Sequence, residues 1–186
     1  MVGKGKLVVI TGPSGVGKST IVREALARTG ASFSVSATTR SPRPGEVDGV
    51  HYRFLDAAAF EKLVADGQML EWANVFGNCY GTPAEPVREA VAAGKTVILE
   101  IDVQGGMQVH AKCPDGTFVL IVPPNEAVLA QRLAGRGTES PEVVARRLAK
   151  AKDELIAASE SGAYKHVVVN GDLETAIARV VDIINK

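Results

Sequence analysis

Five stretches of the chain read as nearly continuous apolar runs: Lys6–Thr11, Phe33–Ala37, Thr96–Ile101, Thr117–Val122 and His166–Asn170. Each is rich in Val, Ile, Leu or Phe with little polar alternation, the pattern of strands covered on both faces. Residues 18–28, 103–111, 125–134 and 140–160 read as helices between or after them. In the longest, Val144, Leu148, Ala151 and Leu155 recur at spacings of four, three and four, which makes one buried stripe. Ser140-Pro141-Glu142 offers it a cap, a proline in the first turn and an acid at the positive end of the helix. After Asp172, the residues Leu173, Ala176, Ile177, Val180, Val181 and Ile184 repeat the stripe in a last helix. Strands that alternate with helices predict right-handed crossovers and a parallel sheet packed on both sides. The expected fold class is α/β.

Two stretches break this rhythm. Residues 38–54 carry Pro42, Pro44, Gly45 and Gly49 among charges, then a Val50–Phe54 alternation that suits a small antiparallel strand. Residues 135–139 are a short link, Gly-Arg-Gly-Thr-Glu. Long loops inside compact domains are usually functional, so residues 36–82 are expected to form an inserted substrate-binding subdomain and residues 134–148 a mobile flap.

At 186 residues, 46% hydrophobic and 23% charged, the chain has the size of one domain and can bury a real core. Lys plus Arg and Asp plus Glu both number 21, so nothing suggests a nucleic-acid binder held by phosphate attraction. The apolar runs are too short to span a bilayer, and the one after the basic start stops at Thr11-Gly12, which does not suit a signal peptide. Cys79 and Cys113 lack metal-site spacing, and His51, His110 and His166 form no constellation. The expectation is a cytoplasmic protein without a membrane or nucleic-acid partner.

The chemistry begins at Gly12-Pro13-Ser14-Gly15-Val16-Gly17-Lys18-Ser19-Thr20. It satisfies GxxxxGK[ST] between a strand and a helix, where the mechanism needs it. Gly15 and Gly17 let successive N–H groups curl toward phosphate oxygens, and the helix N-terminus adds its dipole. Lys18 would reach the β- and γ-phosphates, and the Ser19 hydroxyl could coordinate Mg²⁺. It is not a dinucleotide fingerprint, because Lys-Ser-Thr stands where a third glycine belongs. Val97–Asp102 is an apolar strand with acids at its carboxyl end, and Asp102 could hold Mg²⁺ through water or bind a substrate. GTPases, ATPases and small-molecule kinases all remain open on these residues.

The loop from Ser36 to Tyr52 concentrates Arg40 and Arg43, whose forks suit a dianionic phosphate. Glu71 to Thr82 then offers a carboxylate, Tyr80 and a hydroxyl. Taken singly, each is as well explained by a solvated loop or a core aromatic; beside a phosphate loop, together, they suit a nucleotide pocket. From about Gly3 to Lys186 the sequence resembles a guanylate kinase, on the motifs GPSGVGKST, SATTRSPRPGEVDGVHYRF, EWANVFGNCYGTP, ILEIDVQG and RLAGRGTES.

The resemblance implies a P-loop NTPase-type sheet with an inserted GMP-binding subdomain (36–82), a lid (about 134–148) and a core made of 1–35, 83–133 and 149–186. It implies the reaction MgATP + GMP → ADP + GDP. Arg40, Arg43, Tyr52 and Tyr80 would hold the GMP phosphate, and Ser36, Glu71, Thr82 and Asp102 would read the guanine. Arg132, Arg136 and Arg147 would close over the transferring group, joining Lys18 and Arg40 in catalysis. Guanine's N1 and N2 donors suit a carboxylate such as Glu71, and hydroxyls such as Ser36 or Thr82 could donate to O6. The rivals are a guanylate-kinase-like protein-interaction module without activity, and a kinase for another monophosphate, AMP or UMP.

Overall fold

The structure is a computed structural model and describes residues 5–75, 77–135 and 140–186. The chain runs β1 (Lys6–Thr11), α1 (Lys18–Thr29), β2 (Ser32–Phe33), β3 (Ala37–Thr38), β4 (Arg53–Phe54), α2 (Ala57–Ala65), β5 (Met69–Val75) and β6 (Asn78–Pro83). It continues with α3 (Ala84–Ala92), β7 (Thr96–Glu100), α4 (Val103–Lys112), β8 (Thr117–Val122), α5 (Glu126–Ala134), α6 (Pro141–Glu160), β9 (His166–Val169) and α7 (Leu173–Asn185). The α/β class holds.

Five strands form a parallel sheet in the order β2-β7-β1-β8-β9. Strand pleat sends alternate side chains to opposite faces, and β1 shows the consequence. Val8 and Ile10 pack with Ile21, Val22 and Ala25 of α1 and with Ile177, Val180 and Ile184 of α7. Val9 faces the other way, into a cluster with Val87 of α3, Val109 of α4, Leu99 and Phe118. Both faces are dry, which is why these strands read as unbroken apolar runs.

A second sheet, β4-β3-β6-β5, is built from residues 37–83 and has its own small core of Ala37, Phe60 and Met69 with Leu55, Leu63 and Val64 around it. It leans on α4: Gln108 exchanges hydrogen bonds with the backbone of Trp72, and Lys112 Nζ donates to the Met69 carbonyl at 2.7 Å. The strand expected over Phe33–Ala37 is therefore two. β2 is the edge of the first sheet and β3 belongs to the second; residues 34–36 carry the chain across, a run too short for periodicity to divide. The Val50–Phe54 strand is also corrected. Arg53–Phe54 alone forms a strand, and it runs parallel to β3, not antiparallel; Tyr52 makes a lone parallel bridge with Asp48.

In α6 the predicted stripe is present, with Val144, Leu148 and Ala151 packed on Leu129 and Leu133 of α5. Residues 141–148 of the expected flap are thus helical, while 136–139, including Arg136, lie outside the described residues. Ser140 precedes the helix without capping it by its side chain; its hydroxyl instead bonds Glu142 and holds that carboxyl below its ordinary pKa. No helix among the described residues is long and apolar enough to cross a membrane.

Candidate active site

The turn after β1 is positioned by glycines where side chains cannot go. Gly15 and Gly17 have φ of 83° and 95°, in the left-handed region that glycine alone adopts without strain. A Cβ on Gly15 would lie 2.7 Å from Leu133 Cδ2, and one on Gly17 2.6 Å from Asn170 Nδ2. Asn170, 3% exposed at the end of β9, donates from Nδ2 to the Val16 carbonyl at 2.7 Å and so clamps the loop from the neighbouring strand. Sequence reading placed Asn170 at a strand end without assigning it this contact.

Lys18 is half-buried, and Nζ folds back to donate to the Gly12 and Pro13 carbonyls at 2.5 and 3.1 Å. Its ammonium thus sits over the loop, where a phosphate would take over from the carbonyls. Ser19 Oγ, at the mouth, donates to Glu100 Oε1 at 2.5 Å. Glu100, not Asp102, is the strand-end acid beside the phosphate loop. Asp102 is the N-cap of α4, its Oδ1 accepting from Gly105 N at 2.7 Å.

Two buried polar side-chain atoms have no hydrogen-bond partner among the described residues, Arg132 Nη1 and Asn170 Oδ1. Asn170 reaches the loop through Val16, and Arg132 precedes, in α5, the Leu133 that a Cβ on Gly15 would meet. An unsatisfied buried polar group is costly and rare in a native protein. Arg147 is half-buried on α6 while Arg146 is exposed. The same helix presents Glu154, whose carboxyl burial raises in pKa, within electrostatic reach of Lys18 and Asp102.

Across from the loop is a cavity of about 160 Å³ lined by Ser36, Tyr52, Glu71, Tyr80, Gly81, Glu100 and Asp102, among others. It gathers five of the eight residues expected to bind the second nucleotide. Thr82, 1% exposed, stands just behind, and its hydroxyl donates to Glu71 Oε1 at 2.6 Å. Glu71 is 7% exposed. Burial, opposed by the Thr82 hydrogen bond and aided by the nearby Asp102 charge, pushes its pKa up to about 7. Glycine at 105 leaves it room, since a Cβ there would be 3.0 Å from Glu71 Oε2.

Arg40 lies over the Tyr52 ring at 5.5 Å and the Phe54 ring at 5.9 Å. Its guanidinium pairs with Glu46 through both terminal nitrogens, at 3.0 and 2.8 Å. Arg40 and then the Arg43 N–H hold the Glu46 carboxyl down at about 2. The Arg43 side chain is exposed and acts on this cluster through its charge, while its backbone N–H donates to Glu46 Oε2 at 2.7 Å. Sequence reading missed Glu46, because an acid in a charged Pro/Gly loop looks solvated. A larger cavity, about 780 Å³, lies at the amino-terminal edge of the sheet, where Lys6, Thr117 and His166 begin their strands, and is lined by no phosphate-loop residue.

A sequence model of the family described as guanylate kinase matches residues 4–186. The chain belongs to the guanylate kinase family. It is 52% identical over 182 residues to a guanylate kinase of Symbiobacterium thermophilum, covering 97% of this chain and 85% of that one. It is 53% identical over 176 residues to one of Gloeobacter violaceus, covering 94% and 84%. The solved guanylate kinase of Anaplasma phagocytophilum superposes with a TM-score of 0.71 at 31% identity, covering 97% of this chain and 85% of that one.

Proposed function

We propose that the protein transfers the γ-phosphoryl group of ATP to GMP, giving ADP and GDP, with ATP on the phosphate loop and GMP in the cavity lined by Glu71 and Tyr80. The observation that carries this reading is the juxtaposition of Lys18 and Ser19 on one side of Glu100 with a buried carboxylate cup on the other, in a chain of this family.

Guanine offers N1–H and N2–H side by side. The Glu71 carboxylate accepts both, and its unprotonated form is the one that can do so. Thr82 keeps that carboxylate oriented from behind. Adenine lacks the donor pair and would leave a buried acid unpaired, which disfavours it by up to about 10⁴-fold. Tyr52, Tyr80 and Arg40 bracket the side of the cavity where the acceptor phosphate fits. The nucleophile is already an anionic oxygen, so no general base is required, and the work falls to alignment and charge stabilisation. Lys18 exchanges the Gly12 and Pro13 carbonyls for phosphate oxygens. Arg132, with its unpartnered Nη1, and Arg147 stand on the elements that face the loop; Arg136 is assigned with them from its motif.

Mg²⁺ fits this site. Ser19 Oγ and Glu100 Oε1 are paired hard-oxygen donors, the kind this ion takes alongside nucleotide phosphates. No cluster of three or more His, Cys, Asp or Glu that could hold a metal occurs among the described residues, consistent with an ion carried in chiefly by its nucleotide. When bound, it would neutralise charge on the transferring group. Asp102, one oxygen of which caps α4, would act on it only through water.

A coupled assay of ADP formation from ATP and GMP tests the reading. GMP-dependent turnover is expected; its absence in the folded protein would favour a non-catalytic interaction module.

A further inference from the structure

We propose that Glu46 is a positioning residue for the acceptor phosphate: it fixes the Arg40 guanidinium by the end of its fork, so that the acid does not occupy the edge beside Tyr80 where the phosphate docks. The inference rests on the reading of that cavity as the GMP site and adds a residue to it.

A guanidinium carries five N–H donors. Both hydrogens of Nη1 are committed, one to the Ser41 carbonyl at 2.7 Å and one to Glu46 Oε2 at 3.0 Å. One hydrogen of Nη2 goes to Glu46 Oε1 at 2.8 Å. Nε–H and the second Nη2–H lie side by side along the other edge, which neither acceptor takes. Tyr80, which lines the cavity, hydrogen-bonds the same guanidinium, so a phosphate oxygen arriving there would take over from the phenol. The carboxylate takes the end of the fork and leaves the side, so it does not compete with a phosphate for the same donors.

Glu46 is itself held. Its Oε2 also accepts from the Arg43 backbone N–H at 2.7 Å, so the acid is tied to the loop and not merely to the arginine. The Tyr52 and Phe54 rings support the guanidinium plane. Side-chain exposure of the pair is 15% and 18%, unlike the open surface pairs of the molecule. An arginine fixed at its end and on its face loses little further freedom when a phosphate docks on its edge, which is the source of affinity in a preorganised site.

The test uses the full chain with Glu46→Gln and Glu46→Ala. In both, KM for GMP is expected to rise about tenfold or more, as loss of charge-assisted orientation implies, while KM for ATP stays within twofold. Binding of guanosine, which has the base but no phosphate, should be unchanged by titration calorimetry. Unchanged or tighter GMP binding in either variant that melts like the parent would overturn the proposal, a tighter value meaning that the carboxylate competes with the phosphate. So would an equal loss of guanosine and GMP affinity. Absence of GMP turnover in the unmodified protein is a separate result, read before any variant is made; it would remove the acceptor reading and this inference with it.

Discussion

Glu71 is placed for recognition at a cost to the resting protein, and Glu71→Gln separates the two. The carboxyl is 7% exposed, and its pKa stands at about 7 against an ordinary 4.5. At about 1.4 kcal/mol per unit, that difference amounts to about 3 kcal/mol. The folded state holds the proton more tightly than the unfolded state, so between pH 4.5 and 7 the folded chain carries more protons. Stability therefore falls as pH rises through that window and levels off above it. Glutamine keeps the shape and an acceptor for Thr82 but never ionises. The variant should match the parent near pH 4.5 and exceed it by up to about 3 kcal/mol at pH 8, about 6–10 °C in Tm for a chain of this size. Urea or thermal melts at half-unit pH steps give the curve. In the same variant kcat/KM for GMP should drop by about 10²–10³-fold, since the amide offers only one acceptor to two guanine donors. Parallel stability curves for the two proteins across pH 4.5–8 would refute the assignment of the shift to burial of this group.

Other perturbations follow from single contacts. Lys18→Ala should lower kcat by about 10²-fold or more while the protein still melts cooperatively near its parent temperature, because Lys18 is half-buried at the loop and is no part of the sheet's apolar core. Asn170→Ala strips the clamp from the buried Val16 carbonyl; a loss of about 1–3 kcal/mol and a raised KM for ATP are expected, by denaturant titration and initial rates. Gly106→Ala would drive a methyl into Tyr164 Oη and to 2.6 Å from Thr11 Cγ2, displacing α4 at about 1–3 kcal/mol; an unchanged denaturation midpoint would contradict the tight approach of α4 to β1.

The parallel core was legible because both its faces are buried. β1 and β8 have the limits that their apolar runs suggest, and the helices that follow them fall within a residue or so of the expected bounds. The second sheet was not. β3 and β4 are two residues each, β5 and β6 contain Asn, Gly, Cys and Pro, and their pairing is set by contacts distant in sequence. The helices α2 and α3 were missed as well, α2 starting in an Ala-rich stretch with one buried anchor, Phe60. At the site, the loop glycines, Lys18, Ser19 and Glu71 announce themselves by motif. The choice between Glu100 and Asp102 does not. Two residues apart, both would share a face if the strand ran on, but it ends at Glu100 and Asp102 turns to cap the next helix. Glu46 was hidden for another reason: its partners are a side chain and a backbone N–H that only the folded loop brings within reach.

The central claim, that a buried carboxylate cup selects the acceptor by its purine edge, is tested most directly by kcat/KM for GMP and AMP with MgATP at pH 8, where Glu71 is ionised. The account predicts a preference for GMP of about 10⁴-fold. AMP within tenfold of GMP, in a protein active on both, would contradict it.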